Sequence, residues 1–191
     1  VNGDDKRIKL GGINKVNIGM FLDRDGVINE VLSSRVKFVN KPSDFYLLDG
    51  VGEAIKLFNE EGFKVFVVTN QGGIGLGYMK ETQLDKVHKK MLDELAKFGA
   101  KIDGIAYCPH KPKANCACRK PKPKMIIDLA EKHGIDLEQS FMVGDREPDI
   151  IAGKEAGTRT ILVGKREEEA DADMYFPDLL SVANWLAEYN L

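Results

Sequence analysis

The stretch VNIGMFLDRDGVIN, residues 16–29, limits what this chain can fold into more than any other. Its first half is short enough and apolar enough to predict a buried parallel strand rather than a helix. Gly26 ends that strand. In open α/β sheets ligands gather beyond the carboxyl ends of the strands, which puts Asp23 and Asp25 where a pocket is expected. A spacing of two places both side chains on one side of an extended segment, and two like charges there call for a cation. Hard carboxylate oxygens suit Mg2+, which keeps several waters and takes one or two carboxylates plus a phosphate. Acidic pairs before a glycine also occur in ordinary turns, so the rest of the chain must be weighed with this one.

The rest repeats the same alternation. Apolar spacing predicts a helix over Gly52 to Glu61, closed by Gly62, and then a buried strand over Lys64 to Val68. That strand runs into Thr69-Asn70-Gln71-Gly72-Gly73, a hydroxyl and two glycines of the kind that let backbone N–H groups approach an anion. An amphipathic helix follows over Glu81 to Phe98, with His88 on its apolar side as a packed rather than catalytic histidine. Ile102 to Tyr107 reads as a third strand, and a helix begins near Pro123 and ends at Gly134. The strand Ser140 to Val143 delivers Gly144-Asp145-Arg146-Glu147-Pro148-Asp149, and a helix runs from Ile150 to Ala156. Thr160 to Val163 is expected to be the last core strand, Glu167 to Asp173 a solvated acidic turn, and Phe176 to Tyr189 a closing helix. Strands and helices in alternation predict a three-layer α/β/α sandwich around a mostly parallel, Rossmann-like sheet.

At 191 residues the chain suits one well-cored domain, expected over 15–191, with 1–14 as a flexible N-terminal arm. No apolar run approaches the ~20 residues of a membrane span, and Val1 to Leu10 lacks the apolar core of a secretory signal. A net charge of -2 gives no reason to expect nucleic acid, so a small substrate is the natural reading; a monomer is expected, with nothing in the residues that fixes the oligomeric state. Between Glu30 and Leu48 an irregular loop borders the proposed site, and its Arg35 and Lys37 are candidate substrate contacts.

All three cysteines fall together: Cys108-Pro109-His110, five residues, then Cys116-Ala117-Cys118. An odd, tightly grouped set argues against a secreted disulfide framework and for a metal in a reducing, cytoplasmic compartment. Four Cys and His ligands suit tetrahedral Zn2+ and leave no open position, so the site in the 108–118 loop is read as structural, ahead of a redox thiol group or an iron site. Arg119 and Lys120 follow the last ligand directly, so the metal would fix the backbone that aims them. Arg119 is suited to a phosphate or hydroxyl group on the rest of the substrate.

FLDRDGV, VVTNQGGIG, CPH with CACRKP, and GDREPDI together resemble the motifs of the haloacid dehalogenase-like phosphatases over about residues 17–188. Within them they are similar to the zinc-containing branch that includes the D-glycero-D-manno-heptose 1,7-bisphosphate phosphatases and the histidinol-phosphate phosphatases, which lack a large cap domain. The resemblance implies Asp23 as nucleophile, Asp25 as acid and base, Thr69 and Lys120 on the transferring phosphoryl group, and Asn70, Gln71 and Arg119 on the substrate. It implies Mg2+ held by Asp23, the backbone carbonyl of Asp25 and Asp145, with Asp149 behind Lys120 or the metal, or else capping the next helix. The substrate it implies is a phosphorylated sugar, a heptose bisphosphate of nucleotide-activated heptose synthesis for lipopolysaccharide or S-layer glycan, with histidinol phosphate as the alternative. The extra residues at Val31 to Ser34 depart from the heptose enzymes' pattern. A non-catalytic zinc-dependent interaction protein is the reading from another class, and retention of the nucleophile and the lysine counts against it. A DNA-end phosphatase is disfavoured by the mildly acidic balance.

Overall fold

The structure, a computed structural model, describes residues 17–164 and 170–189. The expected N-terminal arm over 1–14 lies outside these residues, as do 167–169 of the acidic run. Six strands form one sheet: β1 (Asn17–Leu22), β2 (Lys64–Asn70), β3 (Gly104–Cys108), β4 (Ile135–Gly144), β5 (Arg159–Val163) and β6 (Met174–Phe176). Their spatial order is β3-β2-β1-β4-β5-β6, and every neighbouring pair is parallel. The chain lays down β2 and β3 on one side of β1, returns, and builds β4 to β6 on the other. The reversal therefore falls between β1 and β4, where a crevice opens at the carboxyl edge of such a sheet.

Alternation along each strand separates two apolar layers. Met20, Leu22, Val65, Val67, Phe141 and Val143 face the side covered by α1 (Val51–Glu60), α2 (Glu81–Ala96) and α5 (Leu179–Tyr189). Phe21, Phe66, Val68 and Met142 face α3 (Lys124–His133) and α4 (Glu147–Ala156). From Met20 to Leu22 both faces of β1 are closed to solvent, which is why the strand ends on consecutive apolar residues; each such side chain contributes about 1.5–3 kcal/mol on burial. Among the described residues no helix is long and apolar enough to cross a membrane, and no segment builds a separate cap over the carboxyl edge.

Four expectations need correction. β4 starts at Ile135, five residues before the expected Ser140, and its register with β1 shifts between Ile18 and Met20. Ser140 Oγ accepts the Gly19 N–H at 2.8 Å there, in an irregular, partly exposed stretch that hides the strand from a search for apolar alternation. The last strand is β6, not β5, and Phe176 belongs to it. The closing helix begins only after Pro177, where the Asp178 carboxylate accepts the Ser181 N–H at 2.8 Å in the manner of an N-cap. Asp173, expected in a solvated turn, accepts from the backbone N and Oγ of Thr160, both at 2.7 Å, and fastens the edge of the sheet.

Candidate active site and metal cluster

Asp23 is the first residue past β1, and its N–H donates to Val143 O across the switch point. Asp145 is the first residue past β4. The two carboxylates thus meet because their strands are neighbours, and with Asp149 they bring carboxylate oxygens within 4.8 Å of one another. Asp23, Asp145 and Asp149 are all buried. Gly26 permits the meeting: it lies at φ +98°, and a β-carbon there would come within 2.2 Å of Asp145 Oδ2.

Lys120 enters from the zinc-candidate loop and donates to Asp23 Oδ1, Asp149 Oδ1 and Val68 O, each at 2.7 Å. All three ammonium hydrogens are thereby engaged, so the lysine is a fixed charge at the floor of the site. Burial works against the charge, but Asp149 and Asp23 outweigh it and hold the Lys120 pKa up. Burial pushes Asp23 up to about 8, against the pull of Lys120 and with the repulsion of Asp149, Asp145 and Asp25. Asp149 also accepts the Arg146 N–H, so both of its expected roles, partner of Lys120 and cap of α4, are realised in one side chain.

Four carboxylates, Asp23, Asp25, Asp145 and Asp149, are met here by two buried cations, Lys120 and Arg24. A divalent cation with a preference for carboxylate oxygen fits that set. The Asp25 carboxylate stands apart from the triad. It accepts from Arg24, from Asn29 Nδ2 at 3.0 Å and from Gln71 Nε2 at 3.0 Å. Burial would raise its pKa, yet the Arg24 charge and these hydrogen bonds outweigh it and hold it low.

Asp23, Asp25, Thr69, Asn70, Gln71, Arg119 and Lys120 line one cleft of about 360 Å3. The side chains of Asn70 and Gln71 are nonetheless occupied by the protein. Asn70 Nδ2 donates to Lys120 O at 3.1 Å and Oδ1 accepts the Lys120 N–H at 3.0 Å, pinning the lysine's backbone. Gln71 Nε2 donates to Thr69 Oγ1 at 2.8 Å as well as to Asp25, and it is buried. Expected as substrate contacts, both side chains instead orient catalytic candidates. Arg35 and Lys37 are not among the residues lining this cleft: Arg35 pairs with Glu30 and lies over the Tyr46 ring, while Lys37 lies over Phe38. Arg35 borders a neighbouring cavity that Glu30, Gly26 and Asp145 also line, and Lys37 is exposed.

Sequence reasoning missed several residues of the site. Arg24 is completely buried beneath it, and Phe38, Tyr78, Arg146 and Pro148 line its walls. The cation between two acids in Asp-Arg-Asp was the visible signal for Arg24, and Arg146 and Pro148 lay within GDREPDI beside Asp145; Phe38 and Tyr78 are brought to the cleft by loops from distant positions.

The second cluster gathers Cys108 at the end of β3 with His110, Cys116 and Cys118. Cys108 Sγ lies 3.5 Å from both Cys116 Sγ and His110 Nδ1, and Cys118 Sγ lies 3.3 Å from His110 Nδ1. A tetrahedral ion with metal–sulfur bonds of about 2.3 Å needs donor separations of roughly 3.7 Å, so the four atoms fit one. Burial and the neighbouring thiols push the Cys108 thiol up to about 12, which a bound cation would reverse. The loop is tied to the site on both sides. Arg119 Nη1 donates to His110 O at 3.2 Å, and the Gly75 N–H donates to Pro109 O at 2.8 Å, an approach that a β-carbon on Gly75 would block.

An aspartate turn after β1 and a second carboxylate after β4, with a buried lysine between them, are the arrangement of a haloacid dehalogenase-like hydrolase. A family model described as HAD-hydrolase-like matches residues 117–188. The D-glycero-beta-D-manno-heptose-1,7-bisphosphate 7-phosphatase of Helicobacter pylori is 40% identical over 148 residues, 77% of this chain and 83% of the relative. The D-glycero-alpha-D-manno-heptose-1,7-bisphosphate 7-phosphatase of Campylobacter jejuni is 38% identical over 173 residues, 90% of this chain and 97% of the relative. The crystal structure of D,D-heptose 1,7-bisphosphate phosphatase from B. bronchiseptica, complexed with magnesium and phosphate, superposes with a TM-score of 0.83 at 33% identity, covering 90% of this chain and 99% of that one. The chain belongs to the D-glycero-D-manno-heptose-1,7-bisphosphate 7-phosphatase family, and it is a phosphoric monoester hydrolase.

Proposed function

We propose that this protein removes the 7-phosphate of D-glycero-D-manno-heptose 1,7-bisphosphate through a phosphorylated Asp23, with Mg2+, in nucleotide-activated heptose synthesis. The observation that carries the reading is the buried Asp23–Lys120–Asp149 chain beside Asp145 at the floor of an uncapped cleft. The relatives' names supply the substrate, and the magnesium and phosphate in the B. bronchiseptica structure support the metal. Asp23 and Asp145, with the Asp25 backbone carbonyl, would hold Mg2+. When bound, it supplies the positive charge that lets an anionic carboxylate approach a phosphate.

Asp23 attacks phosphorus in line and the bond to the sugar oxygen breaks; Asp25, ionised at rest beside Arg24, passes that oxygen a proton brought in by the singly protonated phosphate group, whose second pKa is about 6. Asp25 then takes a proton from water, which attacks phosphorus and releases Asp23. Thr69 binds the transferring group, and Lys120 offsets its charge. Arg119 and Arg146 line the cleft and suit the phosphate that stays, while Phe38 and Tyr78 offer faces to a sugar ring. Zn2+ in Cys108, His110, Cys116 and Cys118 is structural in this reading. Residues 15–191 form one domain, which works as a cytoplasmic monomer.

Phosphate release from both anomers of the heptose bisphosphate, histidinol phosphate and fructose 1,6-bisphosphate tests the reading, with Asp23→Asn as the blank. A heptose bisphosphate should be preferred, and Asp23→Asn should keep its fold and metal while losing turnover by at least about 10³-fold. Preference for histidinol phosphate would replace the substrate, and an active Asp23→Asn would remove the covalent step.

A further inference from the structure

We propose that Arg24 is the positioning residue of the acid–base carboxylate: its guanidinium fork, anchored beneath the cleft, aims Asp25 at the leaving oxygen. The inference deepens the proposed function and rests on its assignment of Asp25 as acid and base.

Arginine is almost never fully buried unless paired, and Arg24 has no exposed surface. It does not line the cleft, so it acts on substrate only through other side chains. Its Nε and Nη2 donate to Asp25 Oδ1 at 3.1 and 2.9 Å, and Nη2 also reaches Oδ2 at 3.0 Å. Planar fork and planar carboxylate thus fix each other's orientation in a way a point charge could not. The other end of the fork is held as well. Nη1 lies 3.5 Å from His88 Nε2 on α2, and Nη2 donates to Gln71 Oε1 at 3.2 Å. Arginine has no lone pair to offer, so His88 Nε2 is the acceptor and the imidazole is neutral.

Gln71 extends the device. One amide hydrogen goes to Asp25 Oδ2, the other to Thr69 Oγ1, and the carbonyl takes Arg24, so the amide has a single orientation. With Thr69 Oγ1 already accepting, its own hydrogen is left to donate toward the phosphoryl group. Asp25 is a side chain with two free torsions on a turn, and proton transfer requires it within roughly 2.6–3.2 Å of the leaving oxygen. Arg24, Gln71 and Asn29 remove that freedom before substrate arrives.

A buried arginine that only neutralised Asp25 would give the same fold, so the test must read proton transfer. The full chain with Mg2+ is assayed on phosphate monoesters from p-nitrophenyl phosphate, whose leaving group needs no proton, to a simple alkyl phosphate, whose leaving group does. Arg24→Lys keeps the charge and loses the fork. It should lower kcat/KM by about 10–100-fold on the alkyl ester and by no more than about threefold on p-nitrophenyl phosphate, a fraction of what general acid catalysis contributes. On an Asp25→Asn background it should add no further dependence on the leaving group. An equal loss across the series, or none, overturns the proposal. If Arg24→Lys does not fold, His88→Leu, which frees the far end of the fork, is read in the same way. The series contains no heptose, so it stands whatever the natural substrate. If Asp25→Asn itself shows no dependence on the leaving group, the acid–base assignment falls and this proposal with it; if Asp25→Asn shows it and the Arg24 variant does not, only the role of Arg24 falls.

Discussion

Gly26 and Asp145 are in contact at the point where β1 and β4 empty into the cleft, and no side chain fits between them. Gly26→Ala is expected to cost about 1–3 kcal/mol through its left-handed backbone and to displace Asp145, weakening Mg2+ binding by about tenfold or more. Urea unfolding and metal titration check the two effects separately; unchanged metal affinity would show that Asp145 is not a ligand. His88 carries a second consequence. Burial, with the Arg24 charge behind it, pushes its pKa down to about 4, so the fold refuses a proton that the unfolded chain accepts below about 6.5. Its share of stability is present above that value and is lost as pH falls toward 4. His88→Gln should therefore lose about 2 kcal/mol less than wild type between pH 7 and pH 5 in denaturant unfolding. Equal losses would mean that His88 is not buried as a neutral acceptor. Asp23 and Asp145 were legible as candidates in the sequence because each follows a strand, and Asp25, Thr69 and Lys120 because each belongs to a recognisable motif. The burial of Arg24 was not, although its place between two acids was visible, because its partners Gln71 and His88 stand 47 and 64 positions away. The side chains of Asn70 and Gln71 pointed to substrate by motif, whereas their hydrogen bonds point to Lys120, Thr69 and Asp25.

The loop from Cys108 to Lys120 joins the Cys/His cluster to the buried lysine of the cleft with few residues to spare. Cys116→Ser should release the metal and lower kcat/KM by about 10–100-fold, because Arg119 and Lys120 lose a fixed backbone. Metal analysis beside steady-state rates checks this, and loss of metal without loss of rate would separate the cluster from catalysis. Spacing of the cysteines was enough to find this loop, since metal ligation is a local pattern. β6 escaped for the opposite reason. Three residues at a sheet edge carry little periodicity, and Phe176 resembles the start of the apolar face of α5. What fixes β6 is parallel pairing with β5 and the grip of Asp173 on Thr160, neither of which is visible in local sequence.

The strand order makes the site before any side chain refines it. Reversal between β1 and β4 leaves a crevice at the carboxyl edge, and Asp23 and Asp145 are the first residues past the two strands that flank it. Alternating apolar runs and helical spacing made this architecture readable in the sequence, because both layers of core are written into each strand as odd and even positions. The walls of the cleft were less readable: no segment among the described residues caps it, and the loops bearing Phe38, Tyr78, Arg119 and Arg146 meet only in three dimensions. The most direct measurement is a phosphorus-31 NMR time course of the purified protein with Mg2+ and D-glycero-D-manno-heptose 1,7-bisphosphate, both anomers in parallel. One equivalent of inorganic phosphate should appear as the 7-phosphate signal disappears, with the 1-phosphate intact. Loss of the 1-phosphate, or no release from either anomer while another phosphate monoester is hydrolysed, would contradict the assignment.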